Sequence, residues 1–153
     1  MSSDGSNIVQ LTNQEMATGP AWSPDGKRIV FECLVHFTQI CVMDNDGSNG
    51  RQLTEGSWAN FSPAWSPDGT KIAFVSNREF EHSRDIFVMN VDGSHVIQLT
   101  TDIASEDTSP SWSANGQQIV FSCDDGICVI SLKDKSIRKL IDDGFNPAWA
   151  PAP

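Results

Sequence analysis

Apolar residues in this chain fall into short runs that recur in matched sets. Arg28-Ile29-Val30-Phe31, Lys71-Ile72-Ala73-Phe74 and Gln118-Ile119-Val120-Phe121 form one set. Ile40-Cys41-Val42-Met43, Ile86-Phe87-Val88-Met89 and Ile127-Cys128-Val129-Ile130 form a second. Rich in β-branched and aromatic residues and bounded by turn formers, these runs read as short strands. No stretch has helical period or length. The runs keep phase with a further motif. Pro20-Ala21-Trp22-Ser23-Pro24-Asp25-Gly26 recurs as Pro63-Ala64-Trp65-Ser66-Pro67-Asp68-Gly69, then in worn form as Pro110-Ser111-Trp112-Ser113-Ala114-Asn115-Gly116, and begins again at Pro147-Ala148-Trp149. The four tryptophans lie 43, 47 and 37 residues apart. Self-similarity at such a period is the mark of a repeat architecture.

Each unit closes on Gln52-Leu53-Thr54, Gln98-Leu99-Thr100 or the variant Lys139-Leu140-Ile141. The unit is therefore four strands, A to D, with A at the tryptophan motif and D at the closing triplet. Pro-Asp-Gly between A and B suits a tight turn: Pro presets φ, Asp accepts from backbone amides, and Gly takes a positive φ. Asp46-Gly47-Ser48 and Asp92-Gly93-Ser94 are hairpin signals between C and D. The pattern predicts an all-β single domain spanning 1–153, with antiparallel four-stranded units at about 19–54, 62–100 and 109–141. Out of phase with the chain ends, it also predicts a lone D strand at 8–12 and a lone A strand at 146–150.

The combination of PAWSPDG, a KIAF-type strand and IFVMN-VDGS-xxxQLT closely resembles the repeats of TolB-type β-propellers, and related repeats occur in the propellers of prolyl-oligopeptidase-like peptidases and the tricorn protease. The resemblance runs over nearly the whole chain. It departs from the pattern at Ser113-Ala114-Asn115-Gly116 and at Asp134-Lys135-Ser136. It implies a partial β-propeller of three four-stranded blades plus one extra strand at each end, with strand A innermost. Trp22, Trp65, Trp112 and Trp149 would then pack between blades as core. Propellers usually close with four to eight blades. Three imply either part of a longer propeller or a homodimer completing a ring of six full blades. The second is favoured, because an open stack exposes strand edges and apolar faces.

Cys33 and Cys123 each follow a strand B Phe by two residues, and Cys41 and Cys128 each follow a strand C Ile; the middle unit has Ser76 and Phe87 in those places. If Asp125-Gly126 is the two-residue turn, Cys123 faces Cys128 and Phe121 faces Ile130, and in the first unit Phe31 faces Met43. Joint presence in two units and joint absence in the third predicts disulfides Cys33–Cys41 and Cys123–Cys128. Four reduced core thiols are the alternative. Bridges imply a periplasmic or extracellular setting. The opening residues MSSDGSN carry no positive or apolar signal segment.

A net charge of −10, from 10 bases and 20 acids, argues against nucleic-acid binding. No apolar run reaches the roughly 20 residues of a membrane helix. There is no Gly-x-Ser-x-Gly elbow, phosphate loop or His-Glu-x-x-His. Asp44-Asn45-Asp46-Gly47 fails as a calcium loop, because Val42 and Leu53 stand where acids are needed. No catalytic residue, metal or cofactor is expected.

Recognition then falls to the loops. Strand alternation sends the D–A and B–C loops to one rim and the repeated short turns to the other. The loop rim carries aromatics outside the repeat: Trp58, Phe37 and Phe80, with His82 and Arg84 beside them. These five are the candidate binding residues for a protein or peptide partner. Two other outcomes compete with this one: a propeller enzyme or metal- or carbohydrate-binding module acting at the channel mouth, and a purely self-assembling repeat. The resemblance implies a bacterial cell-envelope setting in which the chain acts through partners.

Overall fold

The computed structural model describes residues 6–13, 16–78, 83–101, 109–124 and 126–149. The strands are β1 (Thr18–Trp22), β2 (Arg28–Leu34), β3 (Thr38–Asp44), β4 (Arg51–Gln52), β5 (Asn60–Trp65), β6 (Lys71–Ser76), β7 (Asp85–Asn90), β8 (Ile97–Gln98), β9 (Ser111–Trp112), β10 (Gln118–Cys123), β11 (Gly126–Ser131) and β12 (Ile137–Ile141). They form three four-stranded antiparallel sheets, β1-β2-β3-β4, β5-β6-β7-β8 and β9-β10-β11-β12, which are the three blades read from the repeats. The described chain is all-β.

The turn chemistry is visible atom by atom. Ser66 Oγ donates to Asp68 Oδ1 at 2.6 Å and accepts from the Lys71 amide at 2.9 Å, while the Thr70 amide donates to the same carboxylate at 3.0 Å. The Ser23–Asp25 turn is built identically. Asn115 does the same for blade three, accepting from Ser113 Oγ at 2.8 Å and the Gln117 amide at 3.1 Å. The C–D turns repeat one device: Ser48, Ser94 and Ser136 each donate backbone and hydroxyl to Asp46, Asp92 and Asp134. Lys135 takes the left-handed place of the missing glycine, at φ 56°.

Those serine hydrogen bonds hold Asp25, Asp46, Asp68, Asp92 and Asp134 below the ordinary carboxyl value of 3.8. The folded state thus binds fewer protons than the unfolded one in this window. Stability contributed by these turns is present above about pH 4 and lost as pH falls through the folded values. Asp25→Asn/Asp68→Asn copies the Asn115 turn, which cannot titrate. The double variant is expected to lose less melting temperature than the parent between pH 5 and 2.5. Parallel losses in scanning calorimetry would remove the turns as the source.

Period-two alternation gives each blade two apolar faces. Val30, Ile40 and Val42 of blade one pack on Trp65, Ile72, Phe74, Phe87 and Met89 of blade two. Ala73, Val75, Ile86 and Val88, on the other face of blade two, pack on Trp112, Ile119, Phe121, Cys123, Cys128 and Ile130 of blade three. The outer faces are not raw. Leu11 and Ala17 lie on Ile29, Phe31, Cys33, Cys41 and Met43 of blade one. On blade three Gly144 lies beside Ile127, and the Asn146 amide donates to Ser122 Oγ at 3.1 Å.

Both disulfides are present, Cys33–Cys41 and Cys123–Cys128, with Cα atoms 5.9 and 5.8 Å apart. The strand register differs from expectation. Cys123 opposes Gly126, Phe121 opposes Cys128 and Ile119 opposes Ile130; in blade one Phe31 opposes Cys41, and Met43 faces Ile29. Each bridge therefore runs diagonally on one sheet face, where strand twist brings residues together. The same register holds in all three blades, with Cys33 opposite Gln39, Ser76 opposite Asp85 and Cys123 opposite Gly126. Gly126 is thus a strand position, and a Cβ there would stand 2.0 Å from the Ile141 carbonyl of β12. In blade two the equivalent places hold Ser76 and Phe87, and Phe87 stacks on Phe74 with centroids 5.8 Å apart.

Two further expectations are corrected. Neither 8–12 nor 146–149 is paired as a strand, since no partner strand lies beside it; Ala150 lies outside the described residues. Both segments still take the places the repeat assigns them. The Leu11 carbonyl sits against Gly47 as the Leu53 carbonyl sits against Gly93. Asn146 keeps the left-handed φ of 50° found at Gly19 and Ser62, and its bond to Ser122 matches the Ser62 amide donating to Glu32 Oε1 at 2.8 Å. The tryptophans also divide. Trp65 and Trp112 are each 8% exposed and donate Nε1 to the Ala21 and Ala64 carbonyls of the preceding blade at 3.1 Å. Trp22 is 58% exposed and Trp149 37%, so these two are not core in this chain. Each indole is buried only by a neighbouring blade.

Candidate functional site

The site is the rim carrying the D–A and B–C loops, where blades one and two meet. Its base begins with strand C. The Thr of the closing triplet turns back on that strand: Thr54 Oγ1 accepts the Ile40 amide at 2.9 Å and donates to Gln39 Oε1 at 2.8 Å. Thr100 Oγ1 likewise accepts the Ile86 amide at 2.8 Å and donates to Asp85 Oδ1 at 3.2 Å. Gln39 and Asp85 occupy the same repeat position and are both buried. Asp85 Oδ2 also accepts from Ser83 Oγ and Gln98 Nε2, each at 3.2 Å, so the buried carboxylate is hydrogen-bonded as burial requires.

Across the blade boundary the network continues. Gln39 Oε1 accepts from Asn60 Nδ2 at 2.8 Å, and Gln39 Nε2 donates to the Trp58 carbonyl at 2.9 Å. Asn60 Oδ1 accepts from Arg78 Nη2 at 3.1 Å, while Arg78 Nε donates to Ser76 Oγ at 3.1 Å. The Asn77 side chain accepts the Ala59 amide at 2.8 Å, tying the D–A loop to the B–C loop. The Arg78 guanidinium lies 4.6 Å from the Phe87 ring, 5.4 Å from Phe74 and 5.5 Å from Trp58. A cation held over aromatic faces is fixed both in position and in orientation.

Trp58 is half-buried, and its Nε1 is a buried donor without an acceptor. Beside it Arg78 reaches a cleft of about 420 Å³ lined also by Gln52, Leu53, Thr54, Glu55, Gly93 and Val96. Among the described residues no group of three or more His, Cys, Asp or Glu converges as metal ligands would.

Of the five residues singled out from sequence, Trp58 is part of this arrangement. Arg84 lies one blade boundary further on, over the Phe61 ring at 5.4 Å. Phe37 is 44% exposed on the blade-one B–C loop. Phe80 and His82 lie outside the described residues. Gln39 and Asn60 went unread. The sequence signal for Gln39 is a polar residue directly before the strand C Ile, repeated as Asp85, with a Thr repeated in the closing triplet.

Comparison with known proteins follows the same lines. The model of the TolB beta propeller domain family matches residues 1–152. The putative TolB of Agrobacterium tumefaciens is similar over 92% of this chain and 57% of its own, at 27% identity and a TM-score of 0.81. TolB of Acinetobacter baumannii superposes on 95% of this chain and 38% of its own, at 21% identity and a TM-score of 0.84. An oligogalacturonate lyase in complex with manganese shares the fold over 82% of this chain and 36% of its own, at 20% identity and a TM-score of 0.66. This chain thus spans less than two thirds of each of these structures. No curated protein matches it in sequence. With the repeat motif, the three blades and the matched residues in agreement, the chain belongs to the TolB beta propeller domain family.

Proposed function

We propose that the chain is a non-enzymatic binding scaffold that takes a protein or peptide on the rim built around Trp58 and Arg78. The observation that carries this reading is the contrast between the two rims. One repeats the same two Asp–Ser turns, with Asn once in place of Asp. The other sets dissimilar loops on a hydrogen-bonded base, with a pinned guanidinium and an indole whose donor is unspent. Aromatic and Arg anchors in such a setting dominate peptide and protein recognition. The fold is shared with TolB proteins and with a lyase; this chain's rim has the donor set of a recognition surface. The two disulfides support an oxidising compartment, the periplasm or the extracellular space.

The test is selection of peptides from a displayed library, followed by titration of Trp58→Ala, Arg78→Met and, on the opposite rim, Lys27→Ala. Loss of an anchor is expected to weaken binding about tenfold or more at the first two positions and little at the third. Peptides that bind all three variants as they bind the parent would end the rim assignment.

Self-association is favoured by Trp22, whose indole lacks the alanine carbonyl that Trp65 and Trp112 use. A second copy would cover it along the inner edge, where Met16 and Trp22 are exposed at one end and Phe145 and Trp149 at the other. Light scattering is expected to give twice the 16.7 kDa of one chain. A clean monomer mass would defeat this.

A further inference from the structure

Four of the ten Lys and Arg residues lie within residues 133–139, as Lys133, Lys135, Arg138 and Lys139, although the net charge is −10. This stretch runs into β12, the outermost strand of blade three. β12 is five residues long, where the outer strands β4 and β8 have two, and every one of its residues is exposed. The cause of the extra length is local. In blades one and two a Thr hydroxyl takes the amide of Ile40 or Ile86 in strand C, and the ladder stops at Gln52 and Gln98, two residues short of that Thr. Ile141 replaces that Thr and Gly126 replaces Gln39 and Asp85, so backbone pairing continues to Ile127 opposite Ile141.

A terminal strand leaves alternate amides and carbonyls along its outer edge without strand partners. Here that edge is bordered by exposed Ile137, Leu140 and Ile141 as well as by the bases. Lys135 Nζ reaches the Gln98 carbonyl at 3.3 Å, and Lys139 Nζ meets the Asp142 carboxylate at 3.4 Å on the surface.

We propose that β12 is a strand-addition site for an extended acidic peptide segment, separate from the loop rim. The segment's backbone would continue the blade-three sheet outward. Its carboxylates would meet Arg138 and Lys139, and apolar residues between them would meet Ile137 and Leu140. Charge selects the occupant. Pairing β12 with β12 of a second copy would set Arg138 and Lys139 against their own kind, which disfavours it.

The probe is a fluorescein-labelled peptide of repeating Val-Glu-Glu-Val, which sets Glu opposite both Arg138 and Lys139 and Val opposite Ile137 and Leu140, followed by anisotropy with the whole chain. Its controls are the Lys-for-Glu peptide, the same acidic peptide N-methylated at alternate amides, and single-stranded oligothymidine of equal charge. Saturable binding is expected from the unmethylated acidic peptide alone. Arg138→Glu/Lys139→Glu is expected to weaken it about tenfold or more, with the parent's far-ultraviolet dichroism retained. Should that pair not fold, Arg138→Gln/Lys139→Gln serves in its place. No binding by the acidic peptide, equal binding after N-methylation, or no effect of the substitutions would each overturn strand addition. Oligothymidine binding as tightly would replace it with an unspecific anion surface.

Discussion

Phe74→Ala is expected to destabilise the folded chain by about 3–5 kcal/mol, the cost of emptying an aromatic site that cannot collapse. Phe74 is fully buried between blades one and two. It stacks on Phe87 and forms part of the aromatic floor under Arg78. Its loss would leave a cavity against Val30, Ile40, Val42 and Ile72, all held by ladder hydrogen bonds and slow to move inward. Against a typical domain stability of about 5–15 kcal/mol, this is a large fraction. The check is urea unfolding. The midpoint should fall with the slope unchanged, whereas Phe37→Ala on the exposed loop should stay within about 0.5 kcal/mol of the parent. A loss under about 1 kcal/mol at Phe74 would mean that blades one and two are not joined by a packed core.

Removing both disulfides is expected to cost about 4–5 kcal/mol in sum, since closing loops of this size accounts for about 2 kcal/mol each in the chain-entropy description. The two bridges differ in surroundings. Cys123–Cys128 lies in the core shared with blade two, and Cys33–Cys41 lies beneath Leu11 and Ala17. Both pairs are buried, and Cys33–Cys41 spans 8 residues against 5, so Cys33→Ala/Cys41→Ala should cost more than Cys123→Ala/Cys128→Ala by about 0.4 kcal/mol on loop closure. Parallel denaturation of the two double variants decides this. A larger loss for the Cys123/Cys128 variant would show that packing, and not loop closure, sets the order.

Much of the fold was legible because its rules are local. Pro-Asp-Gly, Asp-Gly-Ser and the alternating runs each declare their conformation within a few residues. The cysteine pairs were legible by comparison between units. What failed depended on distant neighbours. Asp125-Gly126 reads as a turn in isolation, yet Gly126 is a strand position in a register that all three blades share, two residues away from the one expected. Trp22 carries the same motif as Trp65, but burial comes from the adjacent blade and not from the motif. The rim was harder still. Gln39, Asn60 and Arg78 come from three loops and strands, and no spacing in the chain announces that they meet. Trp58 stood out only because it breaks the repeat.

The chain has solved one packing problem twice. Where blades one and three cross-link strands B and C with sulfur, blade two has Ser76 and Phe87 in those places, with Phe87 stacked on Phe74. Blade two is thus the unit that is indifferent to redox conditions. It is the natural parent for longer arrays made in a reducing cytoplasm, where copies of either neighbour would lose their cross-links and copies of the middle unit would stack unchanged.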